Sequence, residues 1–513
     1  MSTYVAAVCA QTRPAVSQNI KHDVSPPLRN LAAAPLQSGS GQQQARVPLA
    51  TGLPITNARS DPVAQQPIVP LSGINTLLNF DGQSANDDRN VLGFAVVPPD
   101  TNGAVGVTQF VQIVNLTFAV YDKRTGTTTL GPAAINTIWK GFGGPCEAGN
   151  GGDPIVLHDQ IAGRWLISQL QFNSTFTSNQ QCIAVSASSD ATGSYNRYEF
   201  DFGANLPDYP KFGVWPDAYY YTANIFPSGH MFAGAEACAF DRAAMLVGNP
   251  AGMICFQNPP SVASLLPSDL DGRTLPPTGS PNFLLEIADS SDLDLFQFHV
   301  DFANPFNSSF IGPITVPVAP FSEICNRAIN LACIPEPPPG EKVDSLGDRL
   351  MFRLVYRNFG DHESLLVNHT VAGGPLAGVR WYEIRSPSVS PFVFQQGTVV
   401  DPDINFWMGS IAMDKAGNIA LGFSASSTNL EPSVELVGRV PTDPPGTMEG
   451  PTVAVTGTGV QQASFHRWGD YSSMGVDPKD DCTFWYTQEY YRTSGSFNWS
   501  TRITAFKFDS CKP

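Results

Sequence analysis

The sequence predicts an all-β fold, and three observations carry the prediction. Short β-prone runs bounded by Gly, Pro, Asn and Asp follow one another from about residue 90 almost to the last residue. No long stretch repeats its apolar residues at helical spacing, and residues 240–247 are the best short candidate for a helix. Composition points the same way: 45 Gly and 44 Pro punctuate 513 residues, of which 42% are hydrophobic. Only 14% of residues are charged, which excludes a coiled coil; 32 Phe, 14 Tyr and 8 Trp are enough aromatic bulk to exclude a disordered chain.

Taken in order, the runs fall into like pairs. Residues 103–107 precede 110–115, residues 154–159 precede 164–169, and residues 211–215 precede 218–224. Further along, 349–356 lead into 364–369, 408–414 into 418–424, and 471–477 into 482–489. In each pair the first run is small or apolar, the turn carries Asp, Gly or Asn, and the second run is rich in aromatic and β-branched residues. A seventh, degraded copy is read at residues 282–287 and 295–301. Copies spaced by about 50 to 70 residues suit a four-stranded sheet with its loops. Without helices to cover their faces, such sheets must close into a ring. The expectation is a seven-bladed β-propeller over residues 81–513, with tandem β-sandwich domains as the alternative. Residues 1–80, rich in Pro, Gln, Ala and Ser, read as a flexible leader. The short apolar stretch at residues 4–10 is either the remnant of a signal segment or an unstructured terminus.

Charge and cysteine usage bound the partners and the compartment. The 29 Lys and Arg against 45 Asp and Glu leave a net charge of −16. Affinity for phosphate rests on basic side chains, so no nucleic acid is expected as a partner. No run of about twenty apolar residues occurs, so no membrane span is expected. Setting Cys9 aside leaves Cys146, Cys182, Cys238, Cys255, Cys325, Cys333, Cys482 and Cys511, none with the CxxC spacing of zinc or redox sites. Pairing in chain order needs the least crossing and gives 146–182, 238–255, 325–333 and 482–511. Sequons for N-glycosylation begin at Asn115, Asn173, Asn307, Asn368 and Asn498. The expectation is a secreted, disulfide-bonded monomeric glycoprotein.

Several longer strings carry a resemblance. Pro98-Pro-Asp-Thr-Asn-Gly-Ala-Val-Gly, Asp208-Tyr-Pro-Lys-Phe-Gly-Val-Trp-Pro-Asp, Arg349-Leu-Met-Phe-Arg-Leu-Val-Tyr-Arg-Asn and Arg467-Trp-Gly-Asp-Tyr-Ser-Ser-Met are similar to those of uncharacterised exported bacterial proteins. That group looks like the sialidase-type propellers in architecture, and the resemblance covers roughly residues 90–513. It implies a fold and hardly touches the chemistry. The S-x-D-x-G-x-x-W box of sialidases is missing in clean form.

The chemistry is read from where the repeat places polar residues. Loops that lead into innermost strands ring one mouth of a propeller's channel. Just ahead of those strands stand Asp100 and Asn102; Asp153; Asp208, Tyr209 and Lys211; Asp348 and Arg349; Asp403 and Trp407; and Arg467, Trp468 and Asp470. Neighbouring carboxylates push each other's pKa values apart, which gives an acid and a base or nucleophile, as glycoside cleavage requires. Asp100, Asp153, Asp208 and Asp470 are the acid/base or nucleophile candidates, with Tyr209 and His466 as proton carriers. Arg349 and Arg467 would hold a sugar carboxylate, Asn102 and Lys211 would add polar contacts, and Trp407 and Trp468 would stack on sugar rings. The reading is a carbohydrate-active protein, glycoside hydrolase or polysaccharide lyase, acting on a glycan with anionic groups. Its rival is a non-catalytic glycan- or protein-binding propeller. The structural account of the same residues is turn capping by Asp and Asn and Arg–Asp locks between blades. No cofactor is expected and no metal-site spacing is present among the seven His. Acidic loops at Asp269 and Asp271, at residues 289–294 and at Asp480-Asp481 offer oxygens for a structural Ca²⁺.

Overall fold

The computed structural model describes residues 13–31, 42–43, 61–65, 73–325 and 332–512. The described chain is nearly all β, built from meanders in which adjacent strands run antiparallel. The first strands of successive meanders are Asn102–Val105, Ile155–Asp159, Asn205–Val214, Leu266–Asp271, Met351–Asn358, Asn405–Met413 and Ser473–Val476. Each packs on the first strand of the next meander, and Ser473–Val476 packs back on Asn102–Val105, so the first strands close a ring. Their small residues are what lets them converge. A Cβ on Gly213 would lie 2.3 Å from the Ser268 carbonyl oxygen of the neighbouring first strand. A pairing that close excludes any side chain there.

The second strands carry the bulk. Tyr219, Tyr220 and Tyr221 of Tyr219–Pro227, and Phe484 and Tyr486 of Phe484–Tyr491, are fully buried. The core lies between facing sheets: Ile155, Leu166 and Ile183 of one meander pack with Phe212, Val214 and Tyr221 of the next. Period-two alternation is weak in these strands because both faces are covered.

The last sheet takes its fourth strand from an early part of the chain. Ile74–Ser84 pairs antiparallel with Trp499–Phe508 as its fourth strand. Ala15–Gln18 and Lys21–Val24 add fifth strands to two other sheets through Gly252–Gln257 and Tyr195–Gly203. The expected leader over residues 1–80 therefore contributes strands, and its boundary falls inside one. These pieces escape sequence reading because Ala15–Gln18 is exposed throughout and lacks apolar alternation. Cys9 and the stretch at residues 4–10 lie outside the described residues.

The degraded copy is also shifted by one strand. Its first strand is Leu266–Asp271, and Asn282–Ile287 is the second. Residues 272–281 connect them in place of a tight turn, which hid the pair. The helix candidate forms Arg242–Leu246, capped by Asp241, whose side chain accepts from the Ala244 N–H.

The four disulfides are Cys146–Cys182, Cys238–Cys255, Cys325–Cys333 and Cys482–Cys511, as expected. No helix among the described residues is long and apolar enough to cross a membrane. Asn115 and Asn368 are fully buried, so those two sequons cannot accept a glycan in the folded chain, whereas Asn173 and Asn307 are exposed.

Candidate functional site

The chain approaches its first strands through residues held in left-handed backbone. Asp100, Asp153, Tyr209, Ser264 and Met408 have φ of 46°, 46°, 58°, 52° and 54°. Each stands two residues before the regular strand pairing of Asn102, Ile155, Lys211, Leu266 and Ser410. Outside glycine this conformation costs on the order of 1 kcal/mol or more, so something must hold it. Side chains of the preceding meander do so. Asn115 Oδ1 accepts the Asp153 N–H at 3.0 Å, Asn224 Oδ1 accepts that of Ser264 at 2.8 Å, and Thr370 Oγ1 accepts that of Met408 at 3.2 Å. Asp153 Oδ2 likewise accepts the Tyr209 N–H at 3.1 Å. The backbone at these positions is thus a lock between sheets, as the turn-capping account holds.

The side chains converge. Asp100 Oδ1 accepts the Asp470 N–H at 2.8 Å, and its Oδ2 accepts Asn115 Nδ2 at 2.7 Å. Arg467 is bonded to Asp470, and its Nη1 lies 3.7 Å from Asp344 Oδ2. Arg349 pairs with Asp348 at 2.9 Å, and its guanidinium sits 4.6 Å from the centroid of the Tyr209 ring. Lys211 Nζ lies 3.4 Å from the Tyr209 centroid and 4.2 Å from that of Tyr471, and donates to the Pro210 carbonyl at 3.0 Å. Residues more than 350 positions apart in the chain thus share one neighbourhood.

Charge crowding there sets the protonation. Burial, then Asp470 and Asp153, raises Asp100 well above the usual carboxylate range against the pull of Arg467. Burial and Asp470 raise Asp153, opposed by Lys211 and Arg467. Asp208 is pushed up to about 8 by burial and then by Asp153 and Asp470. Burial lowers Lys211 to about 8 although Asp153, Asp470 and Asp100 favour its charge. At neutral pH the half-buried Asp208 holds a proton, while Asp470 is ion-paired with Arg467.

Other expected members are placed differently. Trp407 and Trp468 are fully buried, their ring centroids 5.6 Å apart, and Trp468 Nε1 donates to Ser424 Oγ at 3.1 Å. They belong to the core, so neither can stack on a sugar: large indoles between sheets gain more from burial than from exposure. Asn102 is also buried, with Oδ1 accepting the Val156 N–H at 2.9 Å, which ties two first strands together. The His466 ring bonds the Lys342 carbonyl at 2.8 Å, and Asp403 lies exposed in a turn capped by Asp401. The expected Ca²⁺ loop at Asp269 and Asp271 already has its cation. Arg353 bonds both carboxylates, at 2.7 and 2.6 Å. Asp481 is likewise taken by Arg357 at 2.6 Å. Among the described residues one group has metal-ligand spacing, Glu236 with Cys238 and Cys255, but the two sulfurs are bonded to each other.

Glu489 is the member that sequence reading missed. It is 1% exposed, neither carboxylate oxygen has a hydrogen-bond partner, and burial followed by Asp100, Glu336 and Asp344 raises its pKa well above the usual range. A Cβ on Gly469 would be 3.7 Å from Glu489 Oε2 and 3.9 Å from Asp100 Oδ1, so the two carboxyls flank that glycine. The available signal was a charge inside the aromatic strand Phe484–Tyr491.

No protein-family model and no curated protein matches the sequence. Among solved structures the chain is similar to an alpha-L-arabinanase from Penicillium chrysogenum, at 9% identity over 85% of this chain and 100% of the other, with a TM-score of 0.38. An alpha-L-arabinofuranosidase from Fusarium graminearum gives 8% identity, coverage of 86% and 99%, and a TM-score of 0.35. The WD40 domain of SCAP from fission yeast gives 9%, 79% and 82%, and 0.32. The first two are named as an arabinanase and an arabinofuranosidase, not as sialidases. None reaches a TM-score of 0.5, so no activity is carried over from them.

Proposed function

We propose that the chain is an exported, monomeric, seven-bladed β-propeller that acts on carbohydrate, as a glycoside hydrolase or polysaccharide lyase, at the end of the ring where the first strands begin. The closed ring of first-strand contacts supports the propeller over tandem sandwiches. The four disulfides support export. A single feature carries the activity: the carboxyl of Asp208, half-buried, stands in the field of Asp153, Asp470, Arg349 and Lys211 and is pushed up to about 8, first by burial. A carboxylic acid poised in that way can protonate a leaving oxygen, while the ion-paired Asp470 supplies the base or nucleophile. Arg349 and Arg467, buried and paired with Asp348 and Asp470, would have to exchange those partners to hold a carboxylated sugar.

The test is a screen of neutral and uronate-containing polysaccharides with the wild-type chain and Asp208→Asn. We expect release of reducing or unsaturated ends by the wild type and a loss of about 100-fold or more in the variant. Full activity in both Asp208→Asn and Asp470→Asn would end the assignment. The second reading, a binding propeller without chemistry, is favoured by the internal pairing of Arg467 with Asp470 and of Arg349 with Asp348. It predicts glycan retention in affinity electrophoresis with no turnover of any polysaccharide.

A further inference from the structure

One disulfide differs from the other three in its setting. Cys238 and Cys255 stand directly opposite each other in the antiparallel pairing of Ala235–Phe240 with Gly252–Gln257. Cys146–Cys182 instead joins the short helix Pro145–Ala148 to Asn179–Ser186, and neither Cys325 nor Cys482 lies in a strand. The backbone pairing runs from Glu236 with Gln257 to Phe240 with Met253, and it continues on both sides, Cys238 with Tyr221 and Cys255 with Ala15. The hydrogen bonds of the sheet therefore hold the two cysteines opposite each other whether or not their sulfurs are joined.

A second observation concerns the neighbouring carboxyl. Side chains two apart in a strand share a face, which puts Glu236 beside Cys238. One Glu236 carboxylate oxygen and the two sulfurs all lie within 4.8 Å of one another. That carboxyl makes no hydrogen bond or ion pair among the described residues, and burial pushes it up to about 7. Its cross-strand neighbour Gln257 turns away, donating to the carbonyls of Ala233 and Asn258 at 3.2 and 2.8 Å. Both cysteines are buried while Glu236 is half-buried, so the group is reached from solvent at the Glu236 end.

We propose that Cys238 and Cys255, once reduced, form with Glu236 a binding site for a thiophilic divalent cation such as Zn²⁺. A dithiol reductant supplies two electrons and two protons: the S–S bond breaks into two thiols, and the reductant closes its own disulfide. Zn²⁺ then displaces both thiol protons and takes two thiolates and the Glu236 carboxylate, with water in the fourth tetrahedral position. Sulfur ligands disfavour Ca²⁺ and Mg²⁺, which take oxygen. Oxidation of the pair and uptake of the metal are thus alternatives, and neither involves the acidic end of the ring. Zn²⁺ uptake by the full chain tests this, measured by competition with a chromophoric chelator before and after reduction with dithiothreitol and its removal. Reduction should raise uptake, and by one ion per chain less in Cys238→Ser than in the wild type. In reduced Glu236→Gln that ion should bind at least about tenfold more weakly, since even groups that only orient a metal ligand are worth that much. Cys238→Ser/Cys255→Ser, which keeps the other three disulfides, should retain the wild-type near-ultraviolet circular dichroism, because the ladder holds the strands. Equal uptake before and after reduction, an equal gain in Cys238→Ser, or unchanged affinity in Glu236→Gln would overturn the inference. Loss of the native spectrum in the double variant would equally refute it, since the ligands would then not stay in place without the bond.

Discussion

Asp208 and Arg353 show how a single residue's surroundings decide its work. Asp208 faces carboxylates and keeps a proton; Asp269 and Asp271 face Arg353 and are bonded to it at both carboxyls. Replacing Arg353 with Met would leave two buried carboxylates without their cation. Removing one partner of such a pair costs about 3–5 kcal/mol. Urea unfolding of Arg353→Met should show a loss of that size, and a loss below about 1 kcal/mol would mean that the pair is already solvated. The convergence of Asp100, Asp153, Asp208, Arg349, Arg467 and Asp470 was legible, because the repeat assigns each the same place relative to a first strand. Whether a side chain at that place faces inward was not. Trp407 and Trp468 have the same spacing and lie in the core, and Glu489 has a different spacing and faces Asp100.

At the scale of elements, tight connections made most strand pairs readable, and long ones hid them. The turn at residues 415–418 announces the pairing of Met413 with Ile419, whereas residues 272–281 conceal that of Leu266 with Leu285. Disulfides act on the same scale. Cys482–Cys511 spans 29 residues and pins the end of Trp499–Phe508 to the turn that opens Phe484–Tyr491. A loop of that length is worth roughly 3–4 kcal/mol through the entropy of the unfolded chain. The Cys482→Ser/Cys511→Ser variant should lose about that much in chemical denaturation. An unchanged midpoint would show that the terminal strand is held by its pairing with Ile74–Ser84 alone.

For the whole molecule, burial of many carboxyls in an acidic chain sets the response to pH. Asp208 and Glu336 are pushed up to about 8, Glu236 and Glu435 to about 7, and Asp414 to about 6, each first by burial. Unfolded carboxyls titrate near roughly 4, so between about pH 4 and 8 the native state binds more protons and stability falls as pH rises. His158 works the other way at lower pH. Burial holds it to about 4 against roughly 6.5 unfolded, so its contribution is lost as pH falls through that window. Lys211, lowered to about 8, restores some stability above that pH. A calorimetric series should therefore place the highest melting temperature near about pH 5, with a decline toward pH 8 that is shallower in Asp208→Asn. A melting temperature that rises steadily from pH 5 to 8 would contradict the burial of these groups. By itself the sequence determined the all-β class, the recurring strand pair and the polar residues ahead of each first strand, because turn chemistry and strand period act over a few neighbouring residues. Only the tertiary structure decided that Ile74–Ser84 completes the last sheet, that the indoles are core, and that Glu489 lies beside Asp100. Those facts depend on contacts between residues hundreds of positions apart, which no local pattern records.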